Sequence, residues 1–297
     1  GVKRVTTSSG RPSPCIVIEN DFNDTEDTTM EKLNDLSSLS KDDLVQRIKD
    51  AGIVGMGGGG FPTYVKYNSN APIESVVLNG VECEPYITAD YRLMKEETFK
   101  VVKGLEVFQK AANAKTGIIV VKEDKKELID KINDTLKNFP NIRLETVPDV
   151  YPAGWERYIV EKVFGFTYDR LPAEVGLVIN NSGSAKAAYD AVYEGKPLIE
   201  RFVTFSGEAL NNPTNVIIPI GSKAKDIIES IGDYKEEYDT IVFLAGGPMM
   251  GTSLRTEDFA LQRNDTSVLA LPQVDKKKEV KNIFGLFTHI FNYNYEG

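Results

Sequence analysis

Residues 52–66, GIVGMGGGGFPTYVK, set four consecutive glycines before an aromatic and a proline. Glycine reaches φ > 0 without a Cβ penalty and lets another molecule approach the main chain, at an entropic cost in ordering the loop. Bare N–H groups leading into a helix begun at Pro62 offer a seat for an anion, and Lys66 one turn later would add positive charge. Phe61 could stack on a planar ring; a glycine-rich surface turn with Phe61 in the core explains the spacing equally well. A second constellation, LNGVECEPYITADYRLM, places Asn79, Glu82 and Glu84 at the C-terminal end of a predicted strand. Open α/β sheets put ligands at such strand ends, and two carboxylates with an amide can bond ribose hydroxyls or ring nitrogens. The plain alternative is a solvated turn.

Familiar nucleotide motifs do not account for the glycines. Gly55, Gly57 and Gly60 formally satisfy G-x-G-x-x-G, with Glu82 at about the distance of a ribose-binding acid. That fingerprint follows a strand and opens a long helix, whereas here a capped helix precedes the glycines and only a short one follows. A phosphate-binding P-loop fails as well, because Phe61 rather than Lys follows Gly60.

The elements that must position these residues alternate. Ser40 with Asp43 reads as a capping box, Leu44, Val45 and Ile48 line one helical face, and Gly52 stops the helix. Strands SVVLN, GIIVV, IRLETV and VGLVIN then alternate with helices KEETFKVVKGLEVFQKAA, KKELIDKINDTLKNF, GWERYIVEKVF and SAKAAYDAVYEG. This α/β pattern implies a largely parallel sheet covered by helices over residues 40–198. From 199 to 272 the texture becomes strand, strand, helix, strand (RFVTFSGEA, NVIIPIG, KAKDIIESIG, TIVFLAGG), a small α+β unit. CIVIEN is a strand signal with no evident partner nearby, residues 21–39 form an acidic linker, and 273–297 are a tail with a basic run, aromatics and His289.

Composition narrows the function. A net charge of −9 and a pI near 4.9 argue against a nucleic-acid binder working through broad phosphate contacts. Cys15 and Cys83 make no disulfide framework and no C-x-x-C pair, which fits a reducing, cytoplasmic setting. No apolar run approaches the roughly 20 residues that span a bilayer.

Together, GMGGGGFPTYVK, NGVECEPYITADYRLM, YPAGWERYIV, VINNSGSA, VTFSGEALNNPTNVIIPIG and LAGGPMMG, in this order, resemble the C subunit of the Rnf electron-transport complex and its relatives. These are in turn similar to the 51-kDa NADH-binding, FMN-carrying subunit of respiratory complex I. The resemblance implies a Rossmann-like parallel-sheet domain of the complex I 51-kDa type at 40–198. A β-grasp domain of the soluble-ligand-binding (SLBB) type would follow at 199–272. Residues 1–20 would be the remnant of an N-terminal barrel-sandwich module, and the chain a fragment.

The resemblance also implies roles. Gly55, Gly57, Gly58, Gly60 and Lys66 would hold the FMN phosphate, with Asn79 and Glu82 beside the flavin and Phe61 and Glu84 at the NADH site. Tyr151, Gly154 and Glu156, then Asn180, Asn181 and Ser184, would complete the flavin pocket. No catalytic side chain and no metal ligand is implied, because the flavin takes hydride from NADH and releases electrons singly while the protein stacks, orients and tunes. Cys83 beside a flavin could react, but a small residue in a turn is the simpler account.

Many relatives carry C-terminal cysteine sets for [4Fe–4S] clusters, and this sequence has no cysteine after Cys83. The implied electron acceptor is therefore another subunit of a complex peripheral to a membrane, a further segment, or a soluble reductase of the proline or cobalamin type. Trp155 stands where a smaller or polar residue is expected. A non-catalytic docking or small-ligand module of the same fold is the alternative.

Overall fold

A computed structural model describes residues 1–273 apart from 22, 24, 26–28, 69 and 70. The expected tail lies outside the described residues from 274 onward, His289 with it. The chain opens on a hairpin of β1 (Val2–Thr6) and β2 (Pro12–Ile16) in the register Val2↔Ile16. The strand expected over 15–20 thus ends at Ile16 and does have a local partner. The turn between the strands, with Gly10 at φ 72°, folds the chain back on itself.

Helix α1 (Lys41–Asp50) carries the predicted capping box: Ser40 Oγ accepts from Asp43 N at 3.2 Å, and Asp43 Oδ2 accepts from Ser40 N at 2.9 Å. After the glycines comes α2 (Thr63–Tyr67), five residues long as the proline start implied. Strand β3 (Ser75–Asn79) leads through the Glu82 turn into α3 (Ala89–Glu96) and α4 (Thr98–Ala112). One helix was expected over 95–112. Instead the chain bends at Glu97 (φ −114°, ψ 33°), where Thr98 Oγ donates to Met94 O at 2.6 Å. Back-bonding of this kind lets a polar side chain interrupt a helix that apolar spacing alone would continue.

Strand β4 (Thr116–Lys122), α5 (Lys126–Leu136), β5 (Ile142–Val147), α6 (Glu156–Phe164), β6 (Leu177–Asn181) and α7 (Ser182–Tyr189) complete the unit. Helix α7 stops six residues before the expected end at 195, and residues 190–194 continue as a wider turn. The sheet is parallel, in the order β5-β4-β3-β6. Its apolar strands are buried on both faces, with Val76 and Leu78 toward α1, α4 and α7, and Val77 toward α6. Helices α4 and α7 approach so closely that a Cβ on Gly104 would lie 1.8 Å from Ala185 O.

From β3 the chain moves outward to β4 and β5, then returns to place β6 on the other side of β3. The carboxyl ends of β3 and β6, paired side by side at Asn79 and Asn181, therefore lie where the strand order reverses, the place at which such sheets bind ligands.

The second unit pairs β7 (Glu200–Ser206) with β8 (Thr214–Pro219), crosses by α8 (Ala224–Ser230), and adds β9 (Ile241–Ala245), β10 (Thr252–Leu254) and β11 (Ser267–Pro272). The order is β10-β9-β11-β7-β8, with β7 and β11 parallel at the centre and the other pairs antiparallel. That order is compatible with the β-grasp expectation. Strands β10 and β11 were not foreseen: one is three residues long, and SVLALP is a short apolar run without a readable period. Phe205, Ile218, Phe243 and Val268 give this unit a core of its own.

Candidate functional site

A cavity of about 630 Å³ opens at the β3/β6 crevice, within the range typical of small-molecule sites. The α/β unit supplies one wall through Gly57, Gly58, Gly59, Asn79, Glu82, Glu84, Tyr151, Gly154 and Asn181. The second unit supplies the facing wall through the turn after β9 and the segment leading into β11, and Ser8 and Ser9 of the N-terminal hairpin close one end.

The glycine loop owes its place to its neighbours. Gly55 N donates to Phe61 O at 2.8 Å and Gly60 N to Gly55 O at 2.9 Å, which closes the loop on itself. Buried Ser184 ties it down twice, donating to Val54 O at 2.8 Å and accepting from Met56 N at 3.1 Å. The Arg201 guanidinium, buried at the head of β7, donates to Met56 O at 3.3 Å, and Asn264 Nδ2 donates to Gly58 O at 2.9 Å. A Cβ built on Gly58 or Gly59 would meet nothing within 4 Å, so the loop presents bare backbone to the cavity.

The strand ends are equally well held. Asn79 Nδ2 donates to Gly154 O at 2.8 Å and its Oδ1 accepts from Val81 N at 3.0 Å, fastening the YPAGWE loop to the end of β3. Gly154 is required there, since a Cβ would sit 2.6 Å from Val81 O. Asn181 caps α7 by accepting from Gly183 N at 2.8 Å and donates to Asp90 Oδ2 at the same distance. Ser182 Oγ donates to Asp90 Oδ1 at 2.5 Å. Glu82 turns toward the start of α3, accepting from Asp90 N at 2.8 Å and Tyr91 N at 3.2 Å. Burial and the nearby Asp90 charge push the Glu82 carboxyl up to about 8, and burial raises Asp90 as well.

Glu84 bridges the two units. Its Oε2 accepts from Met249 N at 2.9 Å, while Oε1 is buried without a hydrogen-bond partner. Burial raises its pKa, against the pull of the Met249 and Met250 N–H groups.

The implied site residues divide accordingly. Gly57, Gly58, Asn79, Glu82, Glu84, Tyr151, Gly154 and Asn181 share the cavity wall. Gly55, Gly60, Asn180 and Ser184 stand behind it; Asn180 Nδ2 donates to Tyr67 OH at 2.5 Å deep in the core. Lys66 is off the wall: its ammonium donates to Ile179 O at 2.5 Å, and burial lowers its pKa while Glu156 raises it. Glu156 is exposed at the start of α6. Phe61 is 50% exposed, which removes the alternative that placed it in the core, but it does not line the cavity.

Residues missed from the sequence are Asp90, Arg201 and Asn264, together with the Gly246, Gly247 and Met250 turn. LAGGPMMG signals that turn, but its glycines read as purely structural. Asp90 stands within the quoted Glu82 segment without a motif of its own, and Arg201 and Asn264 have no local signal, because their roles arise from contacts between distant segments.

An FMN-sized group fits this arrangement on shape and polar groups: a glycine cradle open toward a large cavity and an unpaired buried acceptor oxygen on Glu84.

Comparison with known proteins agrees with the geometry. Residues 48–190 match the family described as Nuo51 FMN-binding domain. The chain is 36% identical over 266 residues to the C subunit of the proton-translocating ferredoxin:NAD(+) oxidoreductase complex of Clostridium ljungdahlii, covering 88% of this chain and 57% of that one. It is 32% identical over 274 residues to the Na(+)-translocating counterpart of Acetobacterium woodii, covering 91% and 61%. The chain thus spans a little over half the length of these relatives. Among solved structures, a chain of the NAD+-reducing [NiFe]-hydrogenase in the H2-reduced state shares the fold, with a TM-score of 0.66 at 20% identity over 78% of this chain and 47% of that one.

Proposed function

This chain is a relative of the C subunit of the Rnf ferredoxin:NAD+ oxidoreductase complexes, and on that premise we propose that it is an FMN-dependent electron-input module that oxidises NADH. The observation that carries the reading is the open glycine cradle at the β3/β6 crevice. Gly57 and Gly58 would approach the cofactor with bare main chain, Asn79 and Asn181 would fix the strand ends around it, and Glu84 and Phe61 would meet the dinucleotide. Bound FMN would accept hydride from NADH and release two electrons one at a time. The protein's own share is to exclude water with two walls and to hold donors and carboxyls rigid against the ring system. Electrons then leave to another subunit of a membrane-peripheral complex or to a soluble reductase.

A second reading, a docking or small-ligand module of the same fold, draws on Lys66, whose ammonium is held on Ile179 O rather than on the cavity wall. The two separate when the purified protein is mixed with FMN, freed of unbound flavin, and treated anaerobically with NADH. Retained flavin that bleaches is the expected result, with retention kept but bleaching by NADH weakened in Glu84→Ala. An intact fold that retains no flavin would favour the second reading.

A further inference from the structure

Two carboxyl groups meet on the α/β wall, and the flavin reading gives only one of them a part. Glu82 and Asp90 both line the cavity and are joined through the first turn of α3, where Asp90 N donates to Glu82 Oε1. Their surroundings differ. The Asp90 carboxylate receives two side-chain donors, Asn181 Nδ2 and Ser182 Oγ, and faces the buried Arg201 guanidinium. Glu82 receives only the two α3 amides. Lys122, on β4, is the cation that acts on it, and that ammonium is already paired with Asp149. Glu84 and Cys83 share its turn, and Asp265 faces Arg201 from the second unit. Two like charges held at one helix start resist full ionisation together, and the partner with more hydrogen-bond donors keeps the charge.

We infer that Asp90 is the standing anion of the cleft and Glu82 its proton carrier, giving up a proton as a bound two-electron acceptor is reduced and recovering it on reoxidation. This rests on the flavin reading for the identity of the acceptor. Hydride from NADH brings two electrons and one proton. The O–H bond of Glu82 breaks to supply the second proton, an N–H bond forms on the ring, and Glu82 is left as carboxylate. As the two electrons pass to the next carrier, one proton returns to Glu82 and the hydride-derived proton leaves to solvent through the open cleft. The elevated Glu82 pKa, about 8, agrees with this division of labour.

The sign of the linked stability follows. The folded state holds this proton between the ordinary glutamate value of 4.5 and about 8 while the unfolded chain does not, so stability falls as pH rises through that window. Glu82→Gln, which keeps an oxygen for the α3 amides, flattens this dependence.

The deciding experiment is infrared titration of the full chain without cofactor, then with FMN before and after anaerobic NADH. A protonated-carboxyl absorption present at about pH 6 is expected to fall by half near pH 8, to be absent in Glu82→Gln, and to titrate at lower pH in Asp90→Asn. In the flavin-loaded protein the same absorption is expected to weaken on reduction. Its survival in Glu82→Gln, its absence from the wild-type chain at about pH 6, or its constancy while the flavin bleaches would each overturn the inference. Failure to retain flavin while Glu82 still titrates near pH 8 would overturn the cofactor reading and leave Glu82 as the proton-holding group.

Discussion

Two glycine-rich turns face each other across the cleft, and their glycines serve opposite ends. In the loop at residues 55–60, a Cβ on Gly58 or Gly59 would enter open space. In the turn at residues 246–251, a Cβ on Gly247 would lie 2.3 Å from Glu84 Oε2, and one on Gly251 would lie 2.4 Å from Gly247 O. The first turn faces open space where side chains would stand. The second omits them because protein already fills the space. Glycine content alone does not separate a ligand cradle from a packing contact; what a Cβ would meet does.

The sharpest way to break this comparison is Gly247→Ala. The added methyl must displace Glu84, whose Cβ would stand only 2.7 Å away, so the whole side chain has to move and its bond from Met249 N is lost. Overpacking of this kind should cost about 2–3 kcal/mol in urea unfolding. Adding Glu84→Ala should recover much of that loss in a double-mutant cycle. A wild-type midpoint for Gly247→Ala would mean that the second turn is not packed as described.

Next comes Ser184→Ala, which acts on the first turn from behind. It leaves Met56 N buried without an acceptor and frees Val54 O, at a cost of about 2 kcal/mol, and flavin retention should fall because the loop loses its anchor. Asn264→Ala removes one bond to Gly58 O at the cavity edge and should cost about 0.5–1 kcal/mol. If Asn264→Ala proved more costly than Ser184→Ala, the loop would be held chiefly by the second unit rather than by α7.

How much of this was legible in the sequence follows the range of the interactions. The capping box of α1, the buried strand SVVLN and the short proline-led α2 are set by neighbours a few residues away, and each was read from its own segment. The break at Glu97 depends on a competing side-chain bond that apolar spacing does not show. The hairpin at the start was hidden because β1 and β2 pair through largely exposed residues rather than a buried run. At the site, Asn79, Glu82 and Glu84 could be named because they lie at the carboxyl end of a strand. Asp90, Arg201 and Asn264 could not, because only the fold carries them to Asn181, Met56 and Gly58. Lys66 shows the converse limit: spacing placed a cation one turn past the glycines, but burial beside β6 gave it a main-chain partner there.

The smallest expected effect on stability is the most informative about function. Gly59 has open space where its Cβ would be and no positive φ, unlike Gly58 at φ 102°, so Gly59→Ala should unfold within about 0.5 kcal/mol of wild type. If the space before it belongs to a ligand, the methyl must compete with that ligand. FMN binding should then weaken at least about tenfold, equivalent to about 1.4 kcal/mol. Equilibrium dialysis against FMN beside urea unfolding of the same variant measures both quantities. Unchanged flavin affinity would show that the bare backbone is not the cradle, whatever else occupies the cleft. A stability loss as large as that of Gly247→Ala would show that the loop is closed by protein after all, and the contrast between the two turns would fall.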